Sequence, residues 1–520
     1  MLFNPESRKK NILKASAAGM IGWIVAACLG FAYRMVFLLV LTVEYLGIDS
    51  LFANVLGLLG LAELGITDAI LYRLYEPIST EDTGRVGKLM RFFRNTYRII
   101  ALVIFLLGCA VCPFIKQLIR DASEIPQDVN IYLVFLLLVA NTSSTYLFSY
   151  KFSLLSADQK QHKVTIINLI ITFARYSGQL LTLLATKNYT VTLAAGIVLT
   201  LLCNWLASRW VGRQYPQVFA AEGGLSDAEK KQIYRDTFAA LLHKIGGTVV
   251  TSTDSILLTK FIGLAITGIY ANYQLVISSL SGLIYAILNA FTPSLGNAHA
   301  TLGSAERYAF YKKSLFLNFW IVGTASCCLY ILLDDFIFLW LQSNLCLDRW
   351  TTLLLCILFY METMRRVSIS YTMSCGLFTR DKLRPVIESV LNIGISIVCL
   401  KWIGTAGIFM GTILSNLATV FWREPYLLYK YAFGQRLSAY WKAYLKNLAV
   451  TVGATGIAFL LKRMLFGDSV GIAQWAVCGL LCVAVFQVLF VPAFFRTEEF
   501  RYFFGLIRQR LRRRSGSKPS

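Results

Sequence analysis

Charged residues and histidines are scarce in this sequence. Only 15% of its 520 residues are Asp, Glu, Lys or Arg and three are histidine, whereas 57% are hydrophobic and the mean hydropathy is +0.60. Soluble domains are typically about 25% charged and about 45–50% apolar. The deficit of charge therefore excludes an ordinary soluble protein and predicts an all-α polytopic membrane protein.

Motifs for nucleotide hydrolysis and metal binding are also missing. No GxxxxGK[ST] sequence occurs, so no ATP-hydrolysing site is predicted. The three histidines are scattered without a metal-site spacing, and we expect no catalytic residue, no metal and no cofactor. The twelve cysteines lie mostly within apolar runs, and only Cys109 and Cys112 have a paired spacing. Buried thiols are therefore favoured over a disulfide or metal framework.

Apolar segments of membrane-spanning length occupy most of the chain. About 20 apolar residues cross a bilayer as a helix, and on this basis we predict fourteen spans. Their approximate bounds are 14–41, 50–74, 97–119, 130–153, 162–186, 190–212, 237–262, 267–293, 314–341, 350–376, 384–403, 405–428, 441–464 and 470–494. The connections are too short to form a separate soluble domain.

Acidic residues are too few to balance the basic ones, at 28 against 50, which gives a net charge of +22. If the N-terminus is cytoplasmic, alternate connections hold 35 of the 50 Lys and Arg, the opposite connections hold eight, and seven lie inside spans. This asymmetry follows the positive-inside bias. We predict a protein of the cytoplasmic membrane with both termini inside, whose basic surplus faces anionic lipid and not nucleic acid.

A weak internal repeat suggests a duplication. Phe52-Ala53-Asn54 is echoed by Tyr270-Ala271-Asn272, and this and other echoes share an offset of 216 to 222 residues. An even number of spans in each copy would make the copies parallel. The predicted parts are an N-terminal lobe, a cytoplasmic linker, a C-terminal lobe, two extra spans and a basic cytoplasmic tail, at 1–212, 213–236, 237–432, 433–494 and 495–520.

The tail at 495–520 is basic and aromatic. Its apolar positions could share one face of a helix lying on anionic lipid, and a frayed, solvated tail is the alternative. These positions are Phe500, Phe503, Phe504, Ile507 and Leu511.

The segment Glu44–Pro77 combines an apolar helix with embedded charges and glycines. Glycines in such a helix usually let another backbone come close. Glu63, Asp68 and Arg73 are costly inside a bilayer, so they are expected to face a bundle interior or a wet cavity. Glu63 and Asp68 are candidates for binding a coupling ion or for balancing nearby cations.

Polar residues form one stripe along the predicted span 162–186. Its members recur at spacings of three and four, which places them on one helix face. They are Thr165, Asn168, Thr172, Arg175, Gln179 and Thr182. For the uncharged members, hydrogen bonding between helices is the alternative to lining a cavity. For Arg175 we favour a cavity role.

Further spans also carry embedded charge, and cations outnumber acids. Arg binds phosphate through a planar fork of donors, so the surplus suits an anionic, phosphate-bearing cargo. The predicted substrate-binding residues are Arg34, Arg175, Lys244, Asn168, Gln179 and Thr251. Asp254 and Glu362 join the two acids above as candidates for ion coupling or charge balance, although Glu362 and Arg366 have the i, i+4 spacing of a simple ion pair.

Two segments resemble a known family. LG-x(4)-F-A-N…LAELGI-x-x-A-I…LY-x-P and TSTDSILLTKFIGL…NAFTPSLGN are similar to the second span and to the seventh and eighth spans of Wzx-type flippases. That family belongs to the MOP superfamily, with the MATE drug exporters and the lipid II flippase. The resemblance implies two six-helix lobes around a central cavity, alternating access, and transport of an undecaprenyl-pyrophosphate-linked oligosaccharide. It also implies membrane lipids and other polysaccharide-assembly proteins as partners.

Three other functions stay open from the residues. A cation-coupled MATE-type drug exporter is disfavoured because the embedded charge is mostly positive. A membrane oligosaccharide polymerase or ligase is disfavoured by the absence of a large outer loop and by the duplication. A scaffold within an envelope-synthesis complex is the third alternative.

Overall fold

The computed structural model describes residues 8–63, 66–289, 303–341, 345–381, 383–467 and 471–505, and some side chains within these ranges, including those of Asp68 and Lys244, lie outside the description. All regular structure in these ranges is helical. The α-helices are α1 (Arg8–Val40), α2 (Val43–Leu59), α3 (Ile66–Ser79), α4 (Thr83–Val111), α5 (Ile131–Ala157), α6 (Gln161–Thr186), α7 (Tyr189–Gln214), α8 (Pro216–Ala220), α9 (Asp227–Phe261), α10 (Leu264–Asn289), α11 (Ser304–Leu341), α12 (Arg349–Ser374), α13 (Arg384–Ile403), α14 (Thr405–Ala418), α15 (Val420–Leu427), α16 (Ser438–Phe466) and α17 (Ile472–Phe494).

Eleven helical segments of the described chain are long and apolar enough to cross a membrane, and each coincides with a predicted span. The all-α polytopic fold is therefore confirmed. The other three predicted spans, 50–74, 237–262 and 350–376, are also helical, as α2 with α3, as α9 and as α12. They fall outside the eleven because α2 and α3 are short and because α9 and α12 are polar for their length.

The predicted span 50–74 is not one continuous helix. α2 ends at Leu59, a 3₁₀ turn covers Gly60–Glu63, and α3 begins at Ile66. Gly60 caps α2, and glycine is the weakest helix former apart from proline. The apolar helix expected within Glu44–Pro77 is therefore interrupted, and the helical period does not run through it without a break.

The chain separates into two compact units. One comprises Met1–Ala286 with Lys382–Thr412, and the other comprises Ile287–Asp381 with Ile413–Ser520. The predicted pair of superposable lobes, 1–212 and 237–432, is a different division of the chain and stays a prediction.

In the second unit, aromatic side chains of α11 and α17 form a core around Phe316, Phe486 and Phe490. Phe500 and Phe503 pack onto this core, with ring centres 6.4 and 6.1 Å from that of Phe316. The first turns of the tail thus attach to the second unit through Phe500 and Phe503, and contact of the tail with lipid stays a prediction. Ile507 and Leu511 lie outside the described residues.

The predicted linker 213–236 is mostly helical. α7 ends at Gln214, α8 is a single short helix, and α9 begins at Asp227 after Ser226. Ser226 and Glu229 form a capping box, in which each side chain bonds the other residue's backbone N–H. The Ser226 hydroxyl and backbone N–H both donate to the Glu229 carboxylate, at 2.8 and 3.0 Å, and hold its pKa below its ordinary value.

The charge asymmetry predicts that residues 83–90 and 121–128 lie on opposite sides of the membrane, with 83–90 cytoplasmic. Residues 83–90 form the first turns of α4 and residues 121–128 follow its other end, so the apolar part of α4 separates them. Reporter fusions at the two positions should show opposite activities. Equal activities at both would contradict the predicted orientation.

Candidate functional site

The polar face of α1 packs along α10 within the first unit. The Trp23 indole donates to the backbone oxygen of Ser279 at 3.0 Å, and the Arg34 guanidinium donates to Oδ1 of Asn272 at 3.1 Å. Between these contacts, Gly30 lies close to Leu275 and to the Tyr176 hydroxyl. Trp23, Gly30 and Arg34 recur at spacings of seven and four residues, which places them on one helix face, and this face of α1 contacts α10.

Arg34 and Arg175 lie in the neighbourhood of one carboxylate, that of Asp49, with which neither forms a direct ion pair in the described part of the chain. Asp49 interacts electrostatically with both guanidinium groups and accepts a hydrogen bond from the buried Tyr189 hydroxyl at 2.5 Å. The Arg175 guanidinium carbon lies 4.5 Å from the Tyr176 ring centre, and this ring stacks at 4.9 Å on Tyr33. We call the following seven residues the arginine cluster: Tyr33, Arg34, Asp49, Arg175, Tyr176, Tyr189 and Asn272.

The arginine cluster carries two cations for one carboxylate and is open on one side. The side chains of Arg34, Asp49 and Arg175 are half-buried, whereas Tyr189 and Asn272 are buried. Charge in such a place is only partly desolvated, so it remains available to a ligand. An anion would find two planar guanidinium donors here, and the Tyr176 ring beneath Arg175 fixes the orientation of that side chain.

Asn272 has an unsatisfied donor. It is fully buried, its Oδ1 accepts from Arg34, and its Nδ2 has no hydrogen-bond partner among the described residues. Leaving a buried donor unsatisfied costs about 1–3 kcal/mol, so such groups call for an explanation. An acceptor bound at Arg34 would satisfy it after a small rearrangement.

Arg34 and Asp49 lie at similar depths in their helices. Arg34 is six residues from the end of α1, and Asp49 is six residues after the start of α2. At about 1.5 Å per residue, both lie about 9 Å from the turn between α1 and α2. Sequence reasoning overlooked Asp49, although this equal depth across a two-residue turn is a signal that could have found it.

The other predicted binding residues whose side chains the structure describes lie outside the arginine cluster. Asn168 and Thr251 are exposed, and the Thr251 hydroxyl bonds backbone oxygens of its own helix. Gln179 is buried against Gly196 of α7, where its amide fills the space of a missing side chain. Gln179 therefore joins two helices, which is the alternative considered for the stripe. Lys244 lies in α9, but its side chain is outside the described residues.

Asp254 belongs to a separate polar network. It is buried and accepts from the Thr412 hydroxyl at 3.1 Å, which in turn accepts from the Asn392 amide at 2.8 Å. This network ties α9 to α13 and α14. These hydrogen bonds hold the Asp254 carboxylate in place, and its role in ion coupling or charge balance stays a prediction.

Glu63 lies in the 3₁₀ turn after α2 and is surrounded by hydroxyl groups. Tyr97 and Thr67 donate to its Oε1 at 2.8 and 3.0 Å, and Tyr146 also hydrogen-bonds this carboxylate. Hydrogen bonds to an ionised carboxylate are stronger than those between neutral groups. These hydroxyl groups are the partners of Glu63 in the described chain, and its role in ion binding or charge balance stays a prediction. Asp68, in α3, has its side chain outside the described residues.

Glu362 and its neighbours in α12 differ from the prediction. Glu362 is exposed. The ion pair that the structure shows here joins α12 to α15: Arg365 donates to both carboxylate oxygens of Glu424, at 2.7 and 3.0 Å. The sequence prediction had placed the pair along one helix, between Glu362 and Arg366.

Replacing Arg365 by glutamine is expected to destabilise the second unit by about 3–5 kcal/mol, because Glu424 would stay buried without its bidentate partner. The measurement is the thermal unfolding of the purified protein in detergent. The double variant Arg365→Met with Glu424→Leu removes both charges and should recover most of the loss. Equal stability of the wild type and Arg365→Gln would contradict a structural role for the pair.

No group of three or more His, Cys, Asp or Glu residues that could hold a metal ion occurs in the described part of the chain. The site has the chemistry of an anion-binding surface built from guanidinium, amide and phenol groups.

No protein-family model and no curated protein matches the sequence, but solved structures match the fold. The lipid II flippase MurJ, in an inward closed conformation, is 12% identical, with 92% of this chain and 99% of that chain covered and a TM-score of 0.64. An inward-facing multidrug resistance MATE family transporter of the MOP superfamily is 12% identical, with 78% and 95% covered and a TM-score of 0.61. A Vibrio cholerae MATE transporter is 11% identical, with 83% and 98% covered and a TM-score of 0.59.

At these identities the likeness establishes the fold alone. These matched proteins are described as transporters or flippases. These structural matches do not show that the chain belongs to the Wzx-type family, which the sequence motifs predicted. The chain has the multi-pass helical fold of MOP-superfamily transporters.

Proposed function

We propose that this protein is a flippase that moves an undecaprenyl-pyrophosphate-linked oligosaccharide across the cytoplasmic membrane for surface polysaccharide synthesis. The observation that carries the proposal is that Arg34 and Arg175 lie near each other and near one carboxylate, that of Asp49. The rings next to them in the chain, Tyr33 and Tyr176, are in contact with centres 4.9 Å apart. A pyrophosphate needs donors and positive charge when it leaves water, and two guanidinium groups supply both. The similarity to MurJ shows that this fold occurs in a protein described as a lipid II flippase.

The proposed mechanism is alternating access without an enzymatic step. The pyrophosphate would bind at the arginine cluster, where it would compete with Asp49 for the two arginines and accept from the Asn272 amide. A carboxylate that competes with the cargo would keep the binding weak enough for release. We propose no catalytic residue and no cofactor for this cycle.

A MATE-type drug exporter is the second candidate, because MATE transporters match the fold. The charge of the arginine cluster disfavours it, since a cationic drug would be repelled by the surplus guanidinium group. The two functions therefore predict cargoes of opposite charge.

The test is reconstitution of the purified protein in vesicles. One arm contains a fluorescent pyrophosphate-linked oligosaccharide, whose transfer is followed by its access to an external quencher. The other arm contains a cationic dye and an imposed proton or sodium gradient. Transfer of the oligosaccharide alone would support the proposal, and gradient-driven dye export alone would support the MATE-type function. Vesicles without transfer in either arm would reject both.

A further inference from the structure

A narrow apolar groove runs between α6 and α7 in the first unit, with a volume of about 450 Å³. Its more exposed sides are formed by Ile166, Ile170, Leu206 and Trp210, and its deeper floor by Ile167, Ile171, Cys203 and Ala207. Lys163 lines one end. The volume is in the range of ligand pockets, which are about 300–1,000 Å³.

Small side chains create this groove. Away from the groove, towards the other end of the two helices, α6 and α7 are in close contact. A Cβ on Gly178 would lie 2.0 Å from the Leu199 side chain, and a Cβ on Gly196 would lie 2.5 Å from the Gln179 amide. Within the groove, Cys203 and Ala207 are four residues apart on α7 and leave space beside the larger isoleucines of α6.

The only charged lining residue, Lys163, has no carboxylate within ion-pair distance in the described part of the chain. The nearby Asp158 is bound instead by Lys160 at 2.5 Å and by the Tyr215 hydroxyl. The Lys163 ammonium lies 5.4 Å from the Trp210 ring centre. A lysine beside a tryptophan at the end of an apolar surface is typical of the level of lipid headgroups.

We propose that this groove binds an anionic phospholipid, with one acyl chain along the isoleucines and the phosphate at Lys163. The free positive charge of Lys163 matches an anionic headgroup, and the apolar floor matches a single chain. Ile166 and Ile170 project from the side of α6 opposite to Arg175, given about 100° per residue. The groove is therefore separate from the arginine cluster, and the proposal holds whether or not the chain transports a lipid-linked oligosaccharide.

The experiment is native mass spectrometry of the full-length, detergent-purified protein, titrated with dioleoyl phosphatidylglycerol or dioleoyl phosphatidylcholine. The wild type should bind the first phosphatidylglycerol more tightly. Lys163→Gln should weaken that binding about fivefold, the effect of one basic residue at a lipid surface, without changing phosphatidylcholine binding. Ala207→Phe should weaken both by filling the floor, and Cys203→Leu is a smaller filling variant should Ala207→Phe fail to fold.

Two matched controls keep the result specific. Arg209→Gln removes an exposed cation next to Trp210 that does not line the groove, and Leu181→Phe changes an exposed position of α6 outside it. Both should bind each lipid as the wild type does.

Three outcomes would overturn the proposal. They are unchanged phosphatidylglycerol binding in Lys163→Gln, unchanged binding of both lipids in the folded filling variants, and an effect of Arg209→Gln equal to that of Lys163→Gln. Addition of undecaprenyl phosphate tests the other source of a phosphate on an apolar chain. If it displaces phosphatidylglycerol at lower concentration, and the filling variants abolish its binding, the groove belongs to the polyprenyl cargo and the phospholipid assignment is wrong.

Discussion

Changing Arg34 or Arg175 to glutamine is expected to reduce transfer of a pyrophosphate-linked oligosaccharide at least tenfold, with nearly normal protein in the membrane. A charge-assisted hydrogen bond contributes about 1.5–3 kcal/mol, and about 1.4 kcal/mol is a factor of ten. Both side chains are half-buried, so glutamine can be accommodated. The measurements are initial transfer rates in vesicles and immunoblots of the membrane fraction.

Arg175→Lys tests whether the planar fork matters beyond the charge. Lysine keeps the charge but loses the paired donors and the flat stacking on Tyr176. We expect the rate of this variant to stay well below that of the wild type. Arg235→Gln is the matched control, because Arg235 is an exposed arginine of α9 away from the cluster, and it should transfer normally.

The double variant Arg34→Gln with Asp49→Asn separates binding from folding. If Arg34 serves only to neutralise Asp49, removing both charges should restore protein level and transfer together. If Arg34 binds cargo, the double variant should be present in the membrane and still transfer poorly. Normal transfer by the double variant and by Arg175→Gln would reject the arginine cluster as the binding site.

Alanine at Gly47 or Gly268 is expected to remove most of the folded protein. A Cβ on Gly47 would lie 2.2 Å from the backbone oxygen of Leu264, and one on Gly268 would lie 2.2 Å from that of Val43. Both obstacles are backbone atoms of the facing helix, so no rotamer change relieves them. The cost should reach or exceed the about 1–3 kcal/mol typical of overpacking. Size-exclusion profiles and thermal unfolding in detergent provide the measurement.

Gly394→Ala is the control for the glycine variants. Gly394 lies in α13 of the same unit, is exposed, and would bring its Cβ within 4 Å of no other atom. Because alanine is the better helix former by about 1 kcal/mol, this variant should be as stable as the wild type or more so. If Gly47→Ala and Gly268→Ala unfold no earlier than Gly394→Ala, the two helices do not require this close approach.

The membrane fold was predictable from the sequence because its signals are local. An apolar run of sufficient length and a helical period are properties of neighbouring residues, and eleven predicted spans reappear as spanning helices of the described chain. The same period grouped Trp23, Gly30 and Arg34 on the face of α1 that meets α10. A charge inside such a span marks an inner face before any partner is known.

Predictions from local sequence patterns failed where the conformation of a segment, or the residue that it contacts, depends on the helices packed against it. The helix expected through 50–74 breaks at Gly60, which periodicity alone could not reveal. Close backbone approach was expected at the glycines within that segment, but it occurs at Gly47, because only the path of α10 determines which glycine is met.

The candidate site divides in the same way. The sequence by itself determined that Arg34 and Arg175 lie in membrane helices on polar faces, since composition and spacing are sufficient for that. Only the tertiary structure decided that they lie near Asp49 and that Asn272, 238 residues from Arg34, accepts a hydrogen bond from Arg34. The polar residues on one face of α6 likewise have two environments. Gln179 is buried against α7, whereas Arg175 belongs to the arginine cluster. A helix fixes the direction of each side chain, but the group that it meets depends on how distant helices pack.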